Sequence, residues 1–326
     1  MPFYKIGTIG DAPDAYISKE LFESYRAKYN YPRKGEVMIT CAGTVGKMMI
    51  FDGEDSYYQD SNIVWIDNPT NKIDNTFLYH LISKVDWSKL NTTTIVRIYN
   101  DDLRHLRISY PTLSEQRKIS IFLNLLNQRI ETQKKIIEKY ESLIRGIYHS
   151  CFCNSENTII KLRDVVAIVK GKQVNGENLL ENGQYYVMNG GIEPSGYLNE
   201  YNTPADTISI SEGGNSCGYV QYNKEPFWSG GHCYSLMPKS YNICYRFLYH
   251  FLKYKENDIM ALRIGSGLPN VQKKDLERFE VQLPSLERQR EVTTLLDAIS
   301  AKLDLERQLH HVWQSQKQYL LGSLFI

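Results

Sequence analysis

The chain has 326 residues, 38 Lys and Arg against 37 Asp and Glu, and an apolar fraction of 42%. At roughly 100–200 residues per domain there is room for two or three domains with proper cores, and the apolar content with 24 tyrosines excludes a disordered or collagen-like chain. A net charge of +1 gives no direct sign of a nucleic-acid partner.

The start, MPFYKIGTIGDAPDAY, lacks a charged stretch followed by an apolar one, so no secretory signal is read. No apolar run approaches the ~18–20 residues that span a bilayer. A soluble cytoplasmic protein is expected. The first predicted strand is Glu36–Thr40, followed by the turn Cys41-Ala-Gly-Thr-Val-Gly46. Lys47 after Gly46 invites a phosphate-loop reading, but that motif needs Gly at 41 and Ser or Thr at 48, where this chain has Cys41 and Met48. A strand at Asn62–Ile66 and a short helix at Phe77–Lys84 come next. Pro111 ends a strand-like run, and Ser114 with Gln116-Arg117 opens a long helix over 114–149. Its positions Ile119, Leu123, Leu126, Ile130, Gln133, Ile137, Tyr140, Ile144 and Ile147 keep strict 4-3 spacing. In Gln/Lys/Glu-rich sequence that spacing predicts one narrow apolar seam on a helix about 54 Å long.

The second half runs through the same kinds of element. Ile160–Ile168 is followed by strands at Asp206–Ile210 and Cys233–Met237, with glycine breaks at 213, 214, 230 and 231. A short helix is predicted at Tyr245–Lys255. After Pro284 a second long helix carries Val292, Leu296, Ile299 and Leu303 at the same spacing, which then blurs through Leu309, Val312, Trp313 and Leu320. Trp65 and Trp228 read as core residues rather than stacking platforms.

These two halves are copies. Pro111-Thr-Leu-Ser-Glu-Gln-Arg-Lys-Ile119 returns as Pro284-Ser-Leu-Glu-Arg-Gln-Arg-Glu-Val292, a shift of 173 residues that also carries Asp102-Leu103 onto Asp275-Leu276. With slightly different gaps, Phe77-Leu-Tyr-His80 matches Phe247-Leu-Tyr-His250, Cys41–Gly46 faces Glu212–Gly218, and Tyr4–Ile9 faces Tyr186–Ile192. So long a period excludes a solenoid and marks a tandem duplication of a module followed by a helix. The second module is bracketed by the end of the first helix and the start of the second. That bracketing requires the helices to run antiparallel, with the two modules at opposite ends of the pair. The predicted class is α+β: two similar α/β modules at 1–110 and 154–283, separated by an antiparallel coiled coil of helices at 111–153 and 284–326.

Catalytic patterns are missing. No GxGxxG follows a strand, and no HExxH, GxSxG or base-flipping Asn/Asp-Pro-Pro-aromatic segment is present. His310 and His311 are adjacent on a helix and face different ways, so a shared metal is not expected. The six cysteines at 41, 151, 153, 217, 233 and 244 form no CxxC pair and read as small hydrophobes, without metal or disulfide.

The duplicated Pro-x-Leu-x-x-Gln-Arg opening of a heptad helix, each copy preceded by an α/β module with a Gly-rich turn, resembles the specificity subunit (HsdS) of type I restriction-modification systems. The resemblance covers nearly the whole chain. It implies two target recognition domains that each read one half of a split double-stranded DNA target. It also implies helices that hold two methyltransferase subunits, restriction/translocase subunits in the larger complex, and no catalysis by this chain. S-adenosylmethionine and ATP would belong to those partners. One departure stands out: the second module opens with Ile160–Ile168 before Tyr186, whereas the first begins at Tyr4, about 25 residues short. A shortened start and a recombined allele both account for it.

Base readers are expected among polar and Arg residues on Gly-rich loops, where backbone can enter a groove. In the first module these are Thr44, Lys47, Arg97, Tyr99 and Asn100; in the second, Asn189, Ser211, Asn215, Ser216, Arg263, Ser266 and Asn270. The modules carry 13 basic and 14 acidic residues each over 1–110 and 151–282, too little positive charge for a solitary DNA binder. Tight binding is therefore expected to need the partner. The alternative reading is a coiled-coil scaffold with no DNA role.

Overall fold

The computed structural model describes residues 1–58, 62–87, 97–152, 157–239, 243–265, 267 and 269–325. The chain divides into two compact units, residues 1–135 with 307–326 and residues 136–306. The division falls inside both long helices rather than at the module ends used in the sequence reading. Each helix is a single unbroken element whose two halves pack against different cores.

Unit 1 contains β1 (Pro2–Tyr4), β2 (Ala15–Tyr16), α1 (Lys19–Lys28), β3 (Val37–Thr40), β4 (Met48–Ile50), β5 (Tyr57–Tyr58), β6 (Ile63–Ile66), α2 (Asn75–Ser83), α3 (Asn100–Arg104) and the start of α4 (Leu113–Phe152). One three-stranded sheet has the order β2-β1-β5, the other β4-β3-β6. Strand β3 is apolar except at Thr40 and buried along its whole length, as a central strand covered on both faces must be. Ser18 caps α1 and Asp74 caps α2, each accepting a backbone N–H from three residues on.

Unit 2 contains the end of α4, then β7 (Thr158–Lys161), α5 (Leu162–Val165), β8 (Val166–Lys170), β9 (Tyr185–Met188), β10 (Tyr197–Leu198), β11 (Thr207–Ser211), β12 (Val220–Asn223), β13 (Trp228–Ser229), β14 (Cys233–Pro238), α6 (Tyr245–Tyr254), α7 (Glu256–Ala261), α8 (Lys273–Arg278), β15 (Glu280–Leu283) and α9 (Leu286–Leu324), whose last part returns to unit 1. Its sheets repeat those of unit 1: β10-β9-β13 mirrors β2-β1-β5, and β12-β11-β14 mirrors β4-β3-β6 with β8 added at the far edge. A pair β15-β7 has no counterpart among the described residues of unit 1.

The repeat holds bond by bond. The Gly46 N–H donates to Thr40 O at 2.9 Å, and the Gly218 N–H to Ser211 O at 2.8 Å. The Ile98 N–H donates to Cys41 O, and the Val271 N–H to Glu212 O. Both turns need glycine: Gly46 and Gly218 have φ of +83° and +92°, and a Cβ would collide with Trp87 and Met260 respectively. The first strands correspond as well: β1 pairs in parallel with β5 and β9 with β13, and Tyr4 stacks on Tyr58 as Tyr186 stacks on Phe227.

Inside each unit the start of one long helix packs against the end of the other, so the pairing is antiparallel. In unit 1, Ile119 and Leu123 of α4 meet Leu320, Leu321 and Phe325 at the end of α9, together with Phe77 and Leu81 of α2. In unit 2, Ile144, Ile147, Tyr148 and Phe152 meet Val292 and Leu296 in the main core. Along the seam Leu123, Leu126, Val292, Leu296, Ile299 and Leu303 are buried, while Ile119, Ile130, Ile137, Tyr140 and Trp313 are half-buried. Arg129 lies over the Trp313 ring, 5.9 Å from its centroid, and Val312 faces solvent.

The motif glutamine has a mechanical role in both copies. Gln116 is buried, accepts the Asp74 N–H at 2.8 Å and donates to Pro111 O at 2.8 Å and Lys72 O at 3.2 Å. Gln289, likewise buried, accepts the Cys244 N–H at 2.9 Å and donates to Pro284 O at 2.9 Å. Each glutamine thus ties the first turn of a long helix to the first turn of the short helix of its own module. Replacing Gln289 by alanine strands two buried backbone groups, for a loss of about 2–3 kcal/mol. Urea denaturation of unit 2 is the measurement, and an unchanged midpoint refutes the clamp.

Among the described residues Cys41, Cys217 and Cys233 are buried, with no disulfide and no cluster of His, Cys, Asp and Glu able to hold a metal; Cys153 lies outside them. Burial pushes the Cys233 thiol up to about 11, which keeps it protonated and unreactive.

Candidate nucleic-acid interface

In unit 2 three loops converge at one end of β11. Ser211 donates to Gly190 O at 2.6 Å, joining the β9 loop to this strand. The Gly214 N–H donates to Pro269 O at 3.1 Å, and Gly213 and Ile264 each bridge Asn270, joining the Gly213–Gly218 turn to the 263–270 loop. Asn189 Oδ1 accepts the His232 N–H at 3.1 Å. Asn189, Asn215, Ser216, Arg263 and Asn270 therefore gather on one rim, with Asn215 and Arg263 exposed. Asn270 also accepts from Gln272 Nε2 at 2.9 Å. Ser211 differs from expectation: it is buried and its hydroxyl is engaged by Gly190 O and Gly213 O, so it holds the turn rather than presenting a donor. Ser266 lies outside the described residues.

Beneath the rim sits a buried carboxylate. Glu212 accepts from Lys170 Nζ at 2.7 Å and from the Tyr234 hydroxyl at 2.8 Å. Burial first and Glu212 second push the Tyr234 hydroxyl well above its ordinary value, so it stays a donor at neutral pH. The other Glu212 oxygen has no hydrogen bond and faces His232 Nδ1 at 3.9 Å.

Unit 1 builds a simpler rim. The Ile98 bond to Cys41 O brings Arg97, Tyr99 and Asn100 to the end of β3 that carries Thr44 and Lys47. Lys47 is held by Asp11 at 2.5 Å, and its hydrogen bond in turn keeps the Asp11 carboxyl below the usual range. Tyr99 is exposed, stands at the N-cap of α3 and lies under the Arg97 guanidinium at 5.9 Å. Cys41 replaces Glu212 and Val64 replaces Tyr234, judged by strand register, so the ionic network below the unit 2 rim is missing here.

The sequence profile of the type I restriction modification DNA specificity domain matches residues 1–142 and 154–312. The chain belongs to that family. A type I restriction enzyme specificity subunit of Haemophilus influenzae is 47% identical over 147 residues, 45% of this chain and 34% of that protein. A type I specificity subunit of Mycoplasma genitalium is 28% identical over 228 residues, 65% of this chain and 60% of that one. The chain thus matches about a third to three fifths of the length of these relatives. The crystal structure of a type I restriction-modification S subunit from M. genitalium has the same fold, with a TM-score of 0.75 at 23% identity, covering 100% of this chain and 88% of that one.

Two further residues of this specificity-domain chain stand on the unit 2 rim and escaped the sequence reading. Gln173 is exposed and packs against Gly231, and His232 is exposed beside Asn189. Gly171 before Gln173 and the Gly230-Gly231 pair before His232 were the available signals. What sequence does not show is that both segments flank the same rim.

Each module–helix joint also holds a buried histidine. His250 Nε2 lies 2.8 Å from Asp297 Oδ1 and its Nδ1 3.2 Å from the Tyr148 hydroxyl, while Arg246 also binds Asp297. In unit 1 His80 meets Asn124, the repeat mate of Asp297, at 3.0 Å. Burial disfavours the imidazolium and outweighs the Asp297 and Asn124 bonds, so both pKa values lie below the ordinary 6.5. Burial would raise Asp297, but Arg246 and His250 hold it below its usual value. Because the folded state binds the histidine protons less readily than the unfolded chain, stability is full above about pH 6.5 and falls as pH drops below it. Denaturation midpoints at pH 7.5 and 5.5 are expected to decline for both units, less steeply in the His80→Asn, His250→Asn double variant.

Proposed function

We propose that this chain is the non-catalytic DNA-recognition subunit of a cytoplasmic type I restriction-modification complex, each module reading one half of a split double-stranded target. The observation that carries the reading is the duplication itself: two modules of the same strand order, each presenting a polar rim at the same end of its central strand and each clamped by the same glutamine to a long helix. The solved structure titled for complex assembly and conformational transition of the type I R-M system shares the fold, with a TM-score of 0.55 at 17% identity over 98% of this chain.

The helices supply the partner surfaces. On α4, Ile121, Phe122 and Leu125 are 62%, 48% and 59% exposed, and the 173-residue shift carries them onto Thr294, Leu295 and Ala298 of α9. Leu286, Arg290, Thr294, Leu295 and Ala298 line a groove of about 960 Å³ in unit 2. Phe122 and its repeat mate Leu295, both about half exposed, suit two copies of one partner docking in the same way. We assign them to two methyltransferase subunits, with S-adenosylmethionine bound there and ATP on the restriction/translocase subunits. No helix among the described residues is long and apolar enough to cross a membrane.

Neutral modules favour the scaffold alternative, and the test separates the two. Modified adenines are mapped in cells with and without the gene, in the presence of the methyltransferase. A split motif that disappears on deletion supports recognition; an unchanged pattern beside an active methyltransferase supports the scaffold.

A further inference from the structure

One pair on the unit 2 rim differs in kind from its unit 1 counterpart. Glu212 and His232 continue the register of β11 and β14 by one step. The Glu212 N–H donates to His232 O at 2.9 Å, and the His232 N–H donates to Asn189 Oδ1 at 3.1 Å. The backbone of His232 is thus fixed on both sides, while its side chain is 59% exposed. Gly190 packs beside it, where an added Cβ would stand 3.1 Å from His232 Cβ. Residues opposed across an antiparallel pair have side chains within reach of each other.

The carboxylate is oriented from beneath. Lys170 Nζ and the Tyr234 hydroxyl both donate to Glu212 Oε1, at 2.7 and 2.8 Å. Its Oε2 faces His232 Nδ1 at 3.9 Å, roughly 1 Å beyond hydrogen-bond length and closable by a small ring rotation. A lone pair on Nδ1 would oppose those of Oε2, so the carboxylate selects the tautomer with its proton on Nδ1. Nε2 is then an acceptor. In unit 1 the same positions hold Cys41 and Asn62. Their backbone bond is kept, Cys41 N–H to Asn62 O at 2.7 Å, but this pair has neither carboxylate nor imidazole.

We propose that His232 specifies one base of the unit 2 half-site by accepting a hydrogen bond at Nε2 from an exocyclic amino group in the major groove. Adenine N6 and cytosine N4 both carry that group. Glu212 is the positioning residue, holding the proton on Nδ1. Guanine O6 and thymine O4 are acceptors in the same groove, and the Nε2 lone pair repels them. The inference rests on the recognition role proposed above and names the chemistry of one contact within it.

The test uses the full chain co-expressed with its methyltransferase, and a duplex carrying the mapped split motif. Each adenine of the motif is replaced in turn by purine and each cytosine by pyrimidin-2-one, which lack the amino group. At one position of one half, His232→Ala is expected to cancel the loss that the analogue causes in the native complex. That loss is about tenfold in Kd, the size of one hydrogen bond, and the analogue concerned identifies the base. Analogues in the other half are expected to act equally on both complexes. In the chain without DNA, the nitrogen-15 imidazole signal that His232→Ala removes is expected to report the Nδ1–H tautomer. The Lys170→Met, Glu212→Gln double variant, its fold checked by hydrogen exchange in unit 2, is expected to lose that preference. Equal analogue losses throughout in native and His232→Ala complexes, or an Nε2–H imidazole in the native chain, overturn this proposal alone. A complex that binds all sequences equally overturns the recognition role with it.

Discussion

Replacement of Phe152 by alanine is expected to cost unit 2 about 3–5 kcal/mol, the range for truncating a buried phenylalanine. The ring is almost wholly buried and has aromatic neighbours on several sides: Tyr148 at 5.4 Å, Phe247 at 5.2 Å, Phe251 at 5.3 Å and Tyr254 at 5.5 Å between centroids. Removing it opens a cavity where the end of α4 meets α6, and rigid rings on several sides cannot collapse into it. Among the described residues its mate Phe325 has one ring neighbour, Phe77 at 5.0 Å, so Phe325→Ala is expected to cost unit 1 less. Chemical denaturation followed separately in each unit, by hydrogen exchange, measures both. A larger loss at Phe325 than at Phe152 contradicts this account of the packing.

The Phe122→Glu, Leu125→Glu double variant is expected to lose one methyltransferase subunit while leaving the fold intact. Both side chains already face solvent, so acidic replacements leave the core untouched, yet in an interface they place two carboxylates against apolar surface. A loss of at least 2.7 kcal/mol, about 100-fold in Kd, follows from burying even one of them unpaired. Native mass spectrometry of the co-expressed complex is expected to show one methyltransferase per chain in place of two. Full occupancy of both sites with this variant sinks the assignment of the exposed helix faces.

Much of the architecture was legible because it is written in periodicity. The 4-3 spacing from Ile119 onward and its return at Val292 name the seam, and in both units those positions turn inward. The order of module, helix, module, helix requires antiparallel pairing, and Leu123 with Phe325 and Val292 with Ile147 bear that out within the units. Gly46 and Gly218 were visible as turn residues because only glycine tolerates both the positive φ and the close neighbour.

The candidate site was legible only in outline. Polar residues on Gly-rich loops could be named, but whether a hydroxyl points outward or bonds inward depends on what lies across from it, and Ser211 bonds Gly190, 21 residues away in sequence. Gln173 and His232 carried no pattern that sets them apart from other loop residues.

By itself the sequence determined the duplication, the helix spacing and the family, since each follows from residue order along one chain. The tertiary structure alone decided the clamping role of Gln116 and Gln289 and the meeting of the Gly190, Gly213–Gly218 and Asn270 segments on one rim. Both depend on hydrogen bonds to backbone groups far apart in the chain, and every residue type carries the same C=O and all but proline the same N–H, so side-chain pattern cannot encode which pair will meet.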